Sequence, residues 1–244
     1  MVGNDQAEIN VEFDTRLSAT PPYGIDWMQD WAYFYDDFLA SGVVTGAVGV
    51  LGWQVSVSNS ADFINIITGV ADHPGIVSMR TNASATALAV LLTSAQDFSG
   101  HGPFICEWGA KLSGLVVAST DEFAVKMGLM DGGGSTIVDG YWFEYNQSDT
   151  SWHAKTRKAS STIDDVDTTV VADTNFHRYR ITSDGGGGVE FTIDGANATV
   201  LNNSARIPTT ADFFGAMASI AKTLGTGNKQ LQIDYFALKW GVNR

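Results

Sequence analysis

Cysteine is almost absent: one residue in 244, Cys106. No intramolecular disulfide can staple the fold, so its stability has to come from packing. Phe104 and Trp108 share an alternating strand face with Cys106, which predicts a buried, inert thiol rather than a nucleophile. Basic residues are also scarce, with 14 Lys and Arg against 27 Asp and Glu and a net charge of −13. A sequence-independent nucleic-acid binder needs Lys and Arg to displace counterions, and an anionic membrane surface repels such a chain, so neither partner is expected. The acidity serves instead to keep a surface-rich protein soluble. Long apolar runs are missing too. Val43–Val57 is interrupted by Thr45, Gln54 and several glycines, and no segment reads as a membrane span. The opening MVGNDQAEINVEFDTR lacks the basic and apolar regions of an export signal. The N-x-S/T triplets at Asn82, Asn146, Asn197 and Asn202 are then chance matches. Together these absences predict a chain made and assembled in a cytoplasm.

What is present favours strands. Hydrophobic residues make up 44% of the chain, enough for one sizeable core, and charged residues only 17%, with 26 glycines available for tight turns. The clearest element is Asn175–Gly195. In it His177, Tyr179 and Ile181 alternate with Arg178, Arg180 and Thr182, and Val189, Phe191 and Ile193 alternate with Glu190, Thr192 and Asp194. Period-two alternation is what a strand with one buried face needs. The SDGGGG between the two runs tolerates the positive φ of a reversal, so the stretch reads as a hairpin. Further strand-like runs recur at the short spacing of a sandwich or barrel. They fall at Val43–Val50, Gln54–Val57, Ile64–Ile67, Gly75–Arg80, Thr86–Leu92, Phe104–Leu112, Glu122–Met130 and Tyr141–Asn146. Trp152–Arg157, Thr168–Ala172, Phe213–Ile220 and Leu231–Trp240 complete them. Ala83–Leu92 has helical propensity, but its length and boundaries suit a buried strand at least as well. No internal repeat or linker divides the chain, so residues 31–244 read as one domain.

Residues 1–30 show no sustained periodicity and contain Pro21-Pro22, the pattern of an extended N-terminal arm. Next comes an aromatic cluster that includes Trp27, Trp31, Tyr33 and Tyr35, with Asp26, Asp30, Asp36 and Asp37 among the rings. Its plainer reading is a first strand or turn whose rings plug the end of the sandwich. The sharper reading makes Trp27, Trp31, Tyr33 and Tyr35 a partner-docking surface.

Signals for chemistry are few. His73, His101, His153 and His177 lack metal-ligand spacing, so no metal or cofactor is expected, and His177 reads as a hydrogen-bonded core residue. Asp164-Asp165-Val166-Asp167 lacks the pattern of a calcium loop and reads as a solvated acidic turn. There is no nucleophile elbow, and Asp131-Gly132-Gly133-Gly134-Ser135 lacks the Lys and helix of a phosphate-binding loop. One local face is informative. If Gln147–Thr150 is a hairpin loop, Glu144 lies opposite His153 and Trp142 opposite Lys155, with Phe143, Tyr145, Trp152 and Ala154 on the core side. Trp142, Glu144, His153 and Lys155 then form a surface strip of ring, carboxylate, imidazole and ammonium, able to hold a sugar by stacking and hydrogen bonding. The plainer reading is a solvated salt bridge beside a stray ring.

The order FICEWGAKL (Phe104–Leu112), EFAVKMGLMD (Glu122–Asp131), DGYWFEYN (Asp139–Asn146), FHRYRI (Phe176–Ile181), VEFTIDG (Val189–Gly195) and LQIDYFALKW (Leu231–Trp240) resembles the concanavalin A-like jelly roll of lectins, glucanases and laminin-G domains. The resemblance implies an all-β, two-sheet antiparallel sandwich over roughly residues 40–244, preceded by the arm. Glucanases of this fold often carry a Glu-x-Asp-x-x-Glu strand and the lyases use Arg, Gln-x-His and Tyr motifs; this chain has neither. Glu107 and Glu144 are the nearest carboxylates, and no catalytic residue is assigned. The strand ending in IDYFAL after a Gly- and Thr-rich loop (Thr223–Asn228) also resembles, more loosely, jelly-roll virion proteins of tailed phages. That implies a non-enzymatic structural protein on the surface of a phage-like particle, as capsid decoration or tail component. It would be held by its arm to other virion subunits or to symmetry mates in a trimer. The alternative is a carbohydrate-binding, lectin-like module recognising a surface glycan, with a polysaccharide-cleaving enzyme third.

Overall fold

The computed structural model describes residues 31–38, 47–49, 51–58, 63–70, 72–83, 86–93, 98–99, 102–115, 121–132, 136–159, 161–185, 187–208 and 213–241. Its strands begin with β1 (Trp31–Asp36), β2 (Ala47–Val48), β3 (Trp53–Val57), β4 (Phe63–Val70), β5 (His73–Arg80) and β6 (Ala87–Leu92). They continue with β7 (Phe98–Ser99), β8 (Phe104–Ser113), β9 (Glu122–Met130), β10 (Gly140–Asn146), β11 (Ser151–Arg157) and β12 (Asp164–Val171). The last are β13 (His177–Ser183), β14 (Val189–Ile193), β15 (Ala196–Leu201), β16 (Phe213–Leu224) and β17 (Gln230–Gly241). Two antiparallel sheets result. An eight-stranded sheet runs β15-β14-β13-β8-β17-β5-β4 with β1 beside β17, and a nine-stranded sheet runs β12-β11-β10-β9-β16-β6-β3-β2 with β7 beside β16. This is an all-β, jelly-roll-like sandwich.

The hairpins are local, but the centres of both sheets are not. β16 and β17 are 12 residues each and come last in the chain, yet each is inserted between strands made much earlier, β9 and β6 or β8 and β5. The core lies between the inner faces. Phe143 of β10 meets Tyr179 of β13 and Phe191 of β14 edge-on, with centroids 5.4 and 5.2 Å apart. Trp53 of β3 packs on Trp108 of β8 and Phe236 of β17 at 5.7 and 5.0 Å. Such offset or edge-to-face contacts add to simple burial, and these rings bolt one sheet to the other.

Asp36 closes β1. Its buried carboxylate accepts hydrogen bonds from the backbone N–H of Phe38 and Leu51 and from Trp53 Nε1, at 2.9, 2.9 and 3.0 Å. Three donors satisfy a buried charge that would otherwise be costly. The clamp fixes where β1 stops and so where its outward residues lie.

The structure corrects some sequence expectations. The acidic run Asp164–Asp167 is not a turn; it opens β12, the outer strand of the nine-stranded sheet, where its carboxylates reach Lys155, His153 and Arg206. β15 and β7 carry too little periodicity to be legible in the sequence. His177 faces inward by register, yet at the strand's start it stays partly exposed and bonds two aspartates rather than joining the core. The run Thr86–Leu92, by contrast, is a strand as expected, Ala87–Leu92, with β3 and β16 on its two edges.

Candidate functional site

The Trp142 strip assembles in the anticipated register, with Trp142 opposite Lys155 and Glu144 opposite His153 on the outer side of β10 and β11. Lys155 Nζ lies 3.2 Å from Glu144 Oε1 and 3.0 Å from Asp165 Oδ2, and His153 Nδ1 lies 2.7 Å from Asp165 Oδ1. Trp142 Nε1 donates to Glu144 Oε2 at 2.9 Å and Asn146 Nδ2 to Oε1 at 3.1 Å. Burial tends to raise the Glu144 pKa, but the Trp142 bond, Lys155, Lys126 and Asn146 outweigh it and hold the carboxyl below its usual range. The ring itself does not lie open: Trp142 is 1% exposed and packs with Val90, Met130, Ile137 and Met217. The exposed stacking floor expected there is therefore absent, because outward-facing apolar residues from neighbouring strands gather into a second small core.

Open rings occur instead on the outer face of the eight-stranded sheet. β1 pairs with β17 so that Trp31, Tyr33 and Tyr35 stand opposite Gly241, Lys239 and Ala237. Phe34 and Asp36 point the other way, toward Phe98 and Trp53. Tyr33 is 56% and Tyr35 39% exposed. Lys239 is buried, with Nζ 4.7 Å from the Trp31 ring centroid and 5.4 Å from that of Tyr33, so the Tyr33 ring forms the outer layer over the cation. Trp27 lies outside the described residues.

Beside this row, Tyr235 lies flat across Gly109 of β8, where a Cβ would sit 2.3 Å from its Cε1. Its ring stacks against Tyr35 with centroids 6.3 Å apart and planes 27° from parallel. Its hydroxyl donates to Glu107 Oε1 at 2.7 Å, and Arg180 Nε donates to Glu107 Oε2 at 2.6 Å. Arg178 Nε stands 4.0 Å from the same oxygen. Burial and nearby carboxylates, Asp37 and Asp234 first, push the Tyr35 hydroxyl up to about 12, while burial and Glu107 push Tyr235 higher still. Both hydroxyls are therefore protonated donors at neutral pH. Farther along, His73 Nδ1 bonds Asp234 Oδ2 at 2.8 Å, and its ring stacks on Phe176 at 4.0 Å.

Two features bear on catalysis. Glu107 points out from the eight-stranded sheet and Glu144 out from the nine-stranded one, since their strand neighbours Cys106, Trp108, Phe143 and Tyr145 are all core. Packed sheets lie ~10 Å apart, so carboxylates on opposite outer faces are farther apart than the ~5–9.5 Å a glycosidase pair needs. Glu107 and Glu144 cannot act together. Cys106 is fully buried and its thiol pKa is raised by that burial, which leaves no thiolate nucleophile. Among the described residues no group of three or more His, Cys, Asp or Glu is gathered to hold a metal ion.

The sequence offers Trp31, Tyr33 and Tyr35 only as part of an aromatic cluster, a first strand or turn or a docking surface; the pairing of β1 with β17 puts them on one side. It could not find Tyr235, Glu107 and Arg180 beside them, because β1, β8, β13 and β17 meet only through long-range pairing. The outward pair Arg178 and Arg180 is the one local hint.

No protein-family model and no curated protein matches the chain. Solved structures do. A protein of unknown function from Shewanella oneidensis MR-1 superposes with a TM-score of 0.60 at 12% identity, over 100% of this chain and 98% of that one. A conserved carbohydrate esterase from the Shiga toxin-encoding bacteriophage phi24B gives a TM-score of 0.50 at 14% identity, covering 79% and 93%. The carbohydrate recognition domain of Emp46p, in its metal-free form, gives 0.54 at 13% identity, covering 76% and 87%. These likenesses show a jelly-roll-like β-sandwich fold.

Proposed function

We propose that the chain is a carbohydrate-binding, lectin-like module and that the outer face of the eight-stranded sheet is its binding surface. The observation that carries this reading is the Tyr35–Tyr235 pair, two neighbouring rings that lie nearly parallel, one of them flat on a glycine and pinned by a buried carboxylate. A sugar ring offers an apolar C–H face with hydroxyls around its rim. A preformed aromatic floor edged by Tyr hydroxyls and guanidinium groups meets both needs without reorganisation. The fold likeness alone names no ligand, but it is shared with a domain described as recognising carbohydrate. The polar strip of Glu144, His153 and Lys155 offers hydrogen bonds but no ring face, so it is the weaker surface for the same ligand.

The virion-surface placement, with attachment through residues 1–30, concerns residues outside the described ones, and no described feature favours it over glycan binding. The test is a broad glycan array followed by titration calorimetry on the full chain. Wild type should bind, Tyr35→Ala should weaken binding ~5–30-fold, equivalent to ~1–2 kcal/mol, and Trp142→Phe should leave it unchanged. Absence of binding to every glycan sinks the reading.

A further inference from the structure

Building on that reading, we infer that the ligand is a linear, uncharged polysaccharide laid along β1 and read by successive rings, rather than a single terminal sugar. The first reason is spacing. Trp31, Tyr33 and Tyr35 alternate on one side of an extended strand, and a rise of ~3.4 Å per residue puts the first and last ~14 Å apart, about the reach of three linked pyranose rings. Tyr235 widens the floor at the Tyr35 end. A site for one terminal sugar needs one ring and a closed rim. Among the described residues this is a row along an extended strand with no closing rim.

The second reason is that the row is held in place. Lys239 braces Trp31 and Tyr33 from within, Glu107 fixes Tyr235, and the Asp36 clamp sets the end of β1. Rings fixed before binding lose little freedom when a flexible chain settles on them. The third reason is charge. Around the row both signs of charge are interspersed: Arg178 and Arg180 stand beside Glu107, Lys239 lies against two ring faces, His73 bonds Asp234, and Asp36 and Asp37 lie close enough to act on Tyr35. Neither sign dominates the floor, and the chain's net −13 repels a polyanion, which suits a neutral glycan. A protein partner is less well matched. Among the described residues the other exposed large hydrophobics, Val57, Val166, Val171, Val200 and Leu224, sit on β3, β12, β15 and β16, so none of these places an aliphatic patch beside the tyrosines.

The test uses affinity gel electrophoresis of the full chain in soluble β-1,4-glucan, β-1,3-glucan, β-1,4-mannan and an α-1,4-polyuronate. Oligosaccharides of one to six units from any retained polymer are then titrated. Retention by a neutral polymer is expected, little changed by salt. Affinity should rise ~10-fold or more between two and four units and then level off. Trp31→Ala and the exposed Tyr33→Ala should pull the four-unit affinity down toward the two-unit value while leaving the two-unit value in place. Tyr35→Ala should lower both. Retention only by the polyuronate, or equal affinity for one and six units, overturns the linear neutral ligand; if Tyr35→Ala still weakens that binding, the carbohydrate reading survives. Binding of a protein and of no carbohydrate overturns both.

Discussion

Replacing Gly109 by Ala tests how the aromatic floor is built. The new Cβ would stand 2.3 Å from Tyr235 Cε1 and 2.6 Å from Cδ1, closer than carbon atoms approach, so the ring has to swing away. Swinging it away breaks the 2.7 Å bond from the Tyr235 hydroxyl to Glu107 and separates Tyr235 from Tyr35. A hydrogen bond to a charged group is worth ~1.5–3 kcal/mol, and Glu107 keeps Arg180 as a partner, so the carboxylate is not orphaned. Ala recovers ~0.5–1 kcal/mol over Gly in a strand interior. The net expectation is a loss of ~1–2 kcal/mol, or ~2–8 °C in Tm for a domain of this size. The assay is a double-mutant cycle by denaturant unfolding with tryptophan fluorescence. In a Tyr235→Ala background the same Gly109→Ala change should be neutral or stabilising, because the ring it displaces is gone. Equal destabilisation in both backgrounds would refute the reasoning, since the cost would then lie in the backbone.

Two further outcomes follow from the ion pairs. Burial by itself lowers the His177 pKa, but the bonds and charges of Asp194 and Asp173 outweigh it and raise the value above the ordinary 6.5. Its stabilisation is therefore complete below that value and is lost as pH rises through the raised one, so unfolding free energy should fall on the alkaline side. His177→Gln should flatten that limb; an unaltered pH curve would count against the pairing. Lys155→Met should cost ~1–3 kcal/mol, less than the ~3–5 kcal/mol of a fully buried pair, because Asp165 is half-exposed. Glu144 stabilises the fold above its unfolded value and loses that contribution as pH falls through its depressed one. The acid limb should therefore shrink in the variant, and an unchanged limb would show that Trp142 and Asn146 alone hold the carboxylate.

Much of the architecture could be read residue by residue. Alternation in Val189–Ile193 and His177–Ser183 identified both strands and their buried faces, and the four-residue turn between β10 and β11 set the pairing of Glu144 with His153. Trp142 shows where such reading stops. Its parity correctly put it on the outer side, but parity says nothing of Met130 and Met217 arriving from β9 and β16 to enclose the ring. Asp164–Asp167 shows the converse, since acidic residues with poor strand propensity become an edge strand because β11 offers unpaired backbone groups and basic partners.

The sequence by itself determined the fold class, the positions of most strands and the inward set of each, because these depend on side-chain alternation and turn residues a few positions apart. Which strands are neighbours was decided only in the tertiary structure, where burial of both inner faces at once selects one arrangement of long-range pairings. β17 between β8 and β1 is the decisive case. It brings Tyr35 of the first strand, Glu107 of the eighth, Arg180 of the thirteenth and Tyr235 of the last onto one surface, although they lie far apart along the chain.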